Sequence, residues 1–218
     1  MIVAALRMTG QRGNSENIDN LLNKSSKVSI NFLTFNYTNT IDELARDYNN
    51  NLHSQKNDVE QVIHIHGTLN EPIVIGVNDV EQFNEKIFVN DFSEYFIKSK
   101  VLENHVNNDD LSRALGVIDS SDVIMLFGVS FGVTDKKYWE SIIEWLEGSS
   151  SRIAVLYDFS QKRNEIRTEN IRTLERIWDN SRQKLLQFTD SEIAKNIRKR
   201  IYPLYGDEFF ELPQKGEK

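Results

Sequence analysis

Apolar residues fall into short β-branched runs, separated by stretches where they recur at helical spacing. Val28-Ser-Ile-Asn-Phe-Leu-Thr-Phe35 has no Gly or Pro and reads as a buried strand. Polarity rises abruptly at Asn36, after which Ile41, Leu44, Ala45 and Tyr48 mark one helix face. Thr38 or Thr40 suits the cap of that helix, with Asp42 and Glu43 in its positive first turn and Asn49-Asn50-Asn51 at its end. Residues 59–66 alternate and form a second strand, closing on His64-Ile-His-Gly67. A short apolar run follows at 72–76, then a helical pattern over 91–107 and a shorter helix at 110–115.

Residues 123–127 are the most clearly buried strand and run straight into Gly128-Val-Ser-Phe-Gly132. Asp135 opens a helix through Tyr138, Ile142, Trp145 and Leu146, which Gly148 and three serines end. Residues 152–157 are one more strand, closing on Asp158. A long amphipathic helix over 161–188, a shorter one over 190–200 and a polar tail complete the chain.

This order predicts an α/β fold: a Rossmann-like, mainly parallel sheet with helices on both faces and further helices at the C-terminus. The core spans 28–160, and 161–218 form a helical extension packed on it. Residues 1–27 read as an irregular segment. Nucleotide-binding α/β domains usually open with a strand and a Gly-rich turn whose amides cradle phosphate. Gly10 and Gly13 follow no good strand, so that first strand and turn are missing or unrecognisable.

Composition narrows the chemistry. The absence of cysteine excludes disulfides, thiol nucleophiles and all-thiolate zinc sites. No run is long enough to span a bilayer and no signal peptide is evident, so a cytoplasmic protein without membrane association is expected. The net charge of −7 argues against a protein that coats nucleic acid. Residues 152–200 nevertheless hold 12 Lys and Arg against 7 Asp and Glu. They read as a solvated helix face or, more sharply, as a docking surface for an anionic partner.

Four strands each end in a chemically specific group: Asn36, His66-Gly67, Gly128-Val129-Ser130 and Asp158. Any one of these also serves an ordinary turn, and the segment around Ser130 reads equally as a tight strand-to-helix turn. Gathered on the carboxyl edge of a parallel sheet they make a ligand site. A neutral His accepts a proton near neutral pH, and an Asn amide both donates and accepts. His64 and His66 share a strand face, but no third metal ligand is evident and no metal is expected.

Thr34-Phe-Asn-Tyr-Thr38 resembles the Thr-x-Asn-(Tyr/Ile)-Asp signature of sirtuin-like NAD-binding domains, with Thr38 at the usually acidic position. His66-Gly67 resembles their catalytic His-Gly, and the segment from Phe127 to Asp135 their Gly-x-Ser-Leu element. The joint pattern Phe-Asn-Tyr-Thr-Asn-Thr, Ile-His-Ile-His-Gly and Gly-x-Ser-x-Gly-x-Thr-Asp-Lys resembles the AbiH-type phage abortive-infection proteins, as does the segment from Ile73 to Val77.

The resemblance spans roughly residues 30–157 and implies a sirtuin-like core that takes NAD as substrate or ligand. His66 would be the general base, and Asn36 would orient the attacking water or a ribose hydroxyl. Gly128 and Ser130 would contact the nicotinamide-side ribose and Asp158 the adenosine ribose, with Thr34, Tyr37 and Gly67 completing the nucleotide site. The implied reaction is hydrolysis of the nicotinamide N-glycosidic bond. The implied partners are a nucleotide, a phage-derived or host protein trigger and further copies of the chain. The alternative is a nucleotide-sensing or partner-docking module without catalysis, or an N-terminally truncated inactive copy. No four-Cys zinc module is present, so a protein deacylase is not expected.

Overall fold

The computed structural model describes residues 2–9, 27–51, 57–70, 109–159 and 170–205. In chain order its elements are β1 (Ile2–Thr9), β2 (Lys27–Thr34), α1 (Thr40–Asn51), β3 (Asn57–His64), α2 (Asp109–Ser120) and β4 (Val123–Phe127). A single 3₁₀ turn at Val133–Asp135 leads into α3 (Lys136–Gly148). Then come β5 (Ile153–Tyr157), α4 (Ile171–Leu186), α5 (Ser191–Ile197), a 3₁₀ turn at Arg198–Arg200 and β6 (Ile201–Leu204).

One six-stranded sheet holds the order β3-β2-β1-β4-β5-β6. It is mixed, which corrects the expectation of a mainly parallel sheet. β2 and β3, β4 and β5, and β5 and β6 pair parallel, whereas β1 runs antiparallel to both β2 and β4. The expectation failed at the N-terminus, where residues 2–9 are a central strand and not part of an irregular segment. Val3 and Ala5 are buried on one face and Ala4 and Leu6 on the other, as a strand covered on both sides requires. Alanine has low β-propensity, and here burial between two neighbours overrides it.

Strand order is that of a doubly wound nucleotide-binding sheet, but the direction of the central strand differs. Ile2 pairs with Thr34 and Phe127, at the ends of β2 and β4, while Thr9 pairs with Lys27 at the start of β2. The chain therefore leaves β1 at the edge opposite Asn36; Gly10 and Gly13 lie outside the described residues. The other five strands share one direction, so the ends of β2, β3, β4 and β5 fall along a single edge.

Other boundaries moved for local reasons. β3 stops at His64, two residues early, because Gly67 N–H donates back to the His64 carbonyl (3.2 Å) and turns the chain. α4 starts at Ile171, where the Asn170 side chain caps it by accepting the Thr173 N–H (3.0 Å). β6 stands where a polar tail is expected; it is short and contains Pro203, which suits an edge strand. The strand at 72–76, the helix at 91–107 and the first part of the long C-terminal helix lie outside the described residues.

The larger core lies on the sheet face that carries Val3, Leu33, Phe35, Ile63, Ile124, Leu126 and Leu156, and α2, α3, α4 and α5 all contribute to it. A smaller cluster of Leu6, Val28, Val123 and Val155 occupies the alternate strand positions. α1 contributes to neither and packs beside β3. Trp139, fully buried, stacks on Phe35 (5.7 Å, 26° between planes) and meets Phe131 (5.2 Å). Trp145 Nε1–H donates to the Ser121 carbonyl (2.8 Å), tying α3 to the turn before β4. At the far end of α3 the Arg200 guanidinium donates to the carbonyl of Leu146, which the helix terminus leaves without an intrahelical partner, and to those of Ser149 and Arg152 in the turn that follows.

Two outcomes follow from this packing. Trp139→Ala should lower the unfolding free energy by about 3–5 kcal/mol, read from the urea midpoint at unchanged m-value. Asp179 meets Arg198 and Arg182. Partial burial alone would raise its carboxyl; the Arg198 hydrogen bond and charge, followed by those of Arg182, outweigh it and hold the group below the usual range. The resulting stabilisation is complete above the unfolded value of about 4 and disappears as pH falls through the lower folded value. Asp179→Asn should therefore unfold more readily than the parent at pH 7, with the difference shrinking as pH falls below about 4; an equal difference at pH 7 and at low pH would contradict this.

Candidate functional site

β2 delivers its carboxyl end through a buried threonine. Thr34 Oγ1 accepts the Asn36 N–H (3.2 Å), and the Thr34 carbonyl accepts the Ile65 N–H (2.9 Å). One step further on, the Tyr37 carbonyl accepts the Leu69 N–H (3.0 Å). The segments after β2 and β3 thus run side by side. Phe35 points into the core and Asn36 is exposed at the edge, which brings Asn36, Tyr37, His66 and Gly67 to one place.

Gly67 has φ +78°, a left-handed conformation that costs an L-residue about 1–2 kcal/mol. That turn seats His66 against the edge of Phe35 (5.5 Å, 70°), with the Tyr37 ring tilted beside it at 6.3 Å. The two histidines part company here. His64 Nε2 meets Asp42 Oδ2 at 2.8 Å and its Nδ1 meets the Asn36 carbonyl at 3.1 Å, so one ring nitrogen holds the start of α1 to β3 and the other holds the segment that follows β2. His66 Nε2 faces Asp135 Oδ1 at 3.2 Å instead. Among the described residues no cluster of three or more His, Asp or Glu could hold a metal ion.

The loop after β4 is bent sharply. Gly128 has φ +58° and Phe131, which carries a side chain, has φ +51°. Strain of this kind persists only where the surroundings impose it. Here they do: Phe131 is buried against Trp139, whose Nε1–H donates to the Gly132 carbonyl (3.0 Å). Ser130 between them is exposed. Asp135 occupies the cap position of α3, yet its side chain makes no capping hydrogen bond. Its Oδ2 accepts from Thr134 (3.3 Å) while Oδ1 faces His66. Burial, and then the charges of Asp135 and Asp110, push the Tyr138 phenol far above its usual range, so it stays protonated.

Asp158 stands apart from this group. Its buried carboxylate accepts from the Ser181 hydroxyl (2.6 Å) and from Lys184 (2.7 Å), fastening β5 to α4. Beside it Tyr157 packs between Phe127 (5.8 Å) and the half-exposed Phe159 (4.6 Å). Thr34, Asn36, Tyr37, His66, Gly67, Gly128 and Ser130 thus all stand at or just past strand ends on one edge of the sheet, whereas the Asp158 carboxylate turns toward α4.

In the sequence Asp135 reads as the opening of a helix and the end of the segment that begins at Phe127, with no role of its own in the site. Its signal was the Thr-Asp that closes the Gly-x-Ser-x-Gly-x-Thr-Asp-Lys pattern. A cavity of about 540 Å³ between α1, β3 and α2 was also unforeseen. Arg46, His64, Thr68, Asp110 and Arg113 are among its walls.

Among the described residues no helix is long and apolar enough to cross a membrane. Comparison with curated proteins and with solved structures finds no match. The family model described as bacteriophage abortive infection AbiH matches residues 4–157. That span runs from within β1 to the last residue of β5 and takes in every grouped residue of the edge. The chain belongs to the AbiH family of bacteriophage abortive-infection proteins.

Proposed function

We propose that this phage abortive-infection protein binds NAD at the strand-end edge and hydrolyses its nicotinamide N-glycosidic bond. The observation that carries the proposal is the grouping of an exposed Asn36, a seated His66 and the bent loop holding Ser130 on one sheet edge. In the proposed reaction the oxygen of a water bonds to the ribose C1′ as the bond from C1′ to the nicotinamide nitrogen breaks. That bond's electron pair neutralises the pyridinium charge, and the water proton passes to His66. Asn36 holds the water or a ribose hydroxyl by donating and accepting hydrogen bonds. Phe35 and Tyr37 flank the imidazole and limit water around it. Products are nicotinamide and ADP-ribose.

One observation favours a second reading, a nucleotide-sensing module without turnover. The 540 Å³ cavity falls within the roughly 300–1,000 Å³ of small-molecule sites. Its walls include Arg46 and Arg113 among the acidic Asp42, Glu43 and Asp110, so a phosphate there would compete with Asp110 for Arg113 (2.8 Å), and the fully engaged His64 takes the place of His66. A ligand held there would be bound without meeting a base.

Purified protein incubated with NAD should release nicotinamide, measured by chromatography. His66→Ala should lower that rate by on the order of 10²–10⁴-fold, the usual contribution of a general base. Asn36→Ala should abolish most of it, with far-UV circular dichroism unchanged in both variants. Calorimetric binding of NAD with no nicotinamide release would transfer support to the sensing module, and no binding of any nucleotide would sink both readings.

A further inference from the structure

We infer that Asp135 is a positioning residue that fixes the tautomer of His66, so that Nδ1 is the nitrogen that accepts the proton. The inference rests on the proposed base role of His66 and extends it to a residue outside the set drawn from the sequence. Asp135 Oδ1 lies 3.2 Å from His66 Nε2, and the two side chains retain only 12% and 10% of their exposure. A carboxylate this enclosed needs a partner to offset its lost hydration.

The ordinary explanation for an Asp at this position is a helix cap. Asp135 has the position but not the bond, because its side chain accepts no N–H from the first turn of α3. A carboxylate oxygen only accepts, so the ring nitrogen facing it donates. Neutral imidazole carries one N–H. If Nε2 holds it, the lone pair is on Nδ1.

The surrounding geometry limits the ring's other freedom. Phe35 meets the imidazole edge-on and Tyr37 lies beside it, so packing orients the ring plane while the Asp135 carboxylate favours the tautomer with Nε2–H. Asp135 is itself anchored: its N–H donates to the Gly132 carbonyl (3.2 Å), which also accepts Trp139 Nε1–H (3.0 Å). The left-handed Phe131 turn therefore determines where the carboxylate stands, and through it which imidazole nitrogen faces the substrate. Partners that orient a metal-ligating histidine typically contribute about 10–100-fold, and a loss of the same order is expected from the carboxylate that orients His66.

The test is ¹⁵N-edited NMR of the histidine rings in the full chain, with assignment of His66 by loss of its signals in His66→Ala. In the parent at a pH where the ring is neutral, His66 should show its N–H on Nε2. Asp135→Ala should give a mixture of tautomers or the Nδ1–H form. Asp135→Asn, which retains an acceptor oxygen, should keep much of the parent pattern. With NAD, Asp135→Ala should lower kcat by about 10–100-fold with KM within about twofold. An Nδ1–H tautomer in the parent, or an unchanged His66 spectrum in Asp135→Ala, overturns the inference. Should the tautomer respond as expected while no variant cleaves NAD, the assignment of Asp135 stands and the hydrolase reading alone fails.

Discussion

The candidate site depends on one aromatic contact beneath it. Trp139 is wholly buried, stacks on Phe35 from the end of β2, and packs on Phe131 from the loop after β4. Phe35 in turn touches His66, which follows β3. Three strand ends remote in sequence therefore rest on a single indole. Its N–H reaches the Gly132 carbonyl, so the same side chain supplies apolar area and a directed bond. Close packing of this kind makes neighbouring positions interdependent. The strained Phe131 backbone is stable only because its ring has this place to go.

Reversal of β1 changes what the edge can offer. In a doubly wound sheet the central strand runs toward the ligand edge and passes into a helix there, presenting amides and a helix N-terminus to phosphate. Here the central strand starts at that edge with Ile2 and leaves at the other. A turn following β1 therefore begins on the wrong side for that purpose. The edge keeps its polar groups because β2, β3 and β4 still end there together, and the contact between His66 and Asp135 spans the gap over the start of β1.

Electrostatics divide the two histidines that the sequence presents as a pair. His64 is bound by Asp42 and by the Asn36 carbonyl, and so acts as a clasp between β3 and α1. His66, two residues on, lies beyond the end of the strand, where Gly67 redirects the chain. Had β3 continued through residue 66, both rings would lie on one face. The early turn separates them and gives each a different carboxylate. Asp158 shows the same principle in reverse, since Ser181 and Lys184 draw its carboxylate toward α4.

Strong periodicity was enough to read several elements directly. The apolar run of β4 coincides with its observed bounds, and α1 has Asp42 and Glu43 in its first turn as its sequence requires. Asn36, His66, Gly128 and Ser130 were legible as strand-end groups because abrupt changes from apolar to polar residues mark where strands stop. β1 and β6 were not legible: two alanines in one and a proline in the other weaken a local signal that pairing with neighbours restores. Outside β1 and β6, local pattern by itself marked the described strands and helices and the polar groups at their ends, since backbone preference and side-chain periodicity act within a few residues. Only the tertiary structure decided the direction of β1, the separate fates of His64 and His66, and the pairing of His66 with Asp135, because each depends on contacts between groups far apart along the chain.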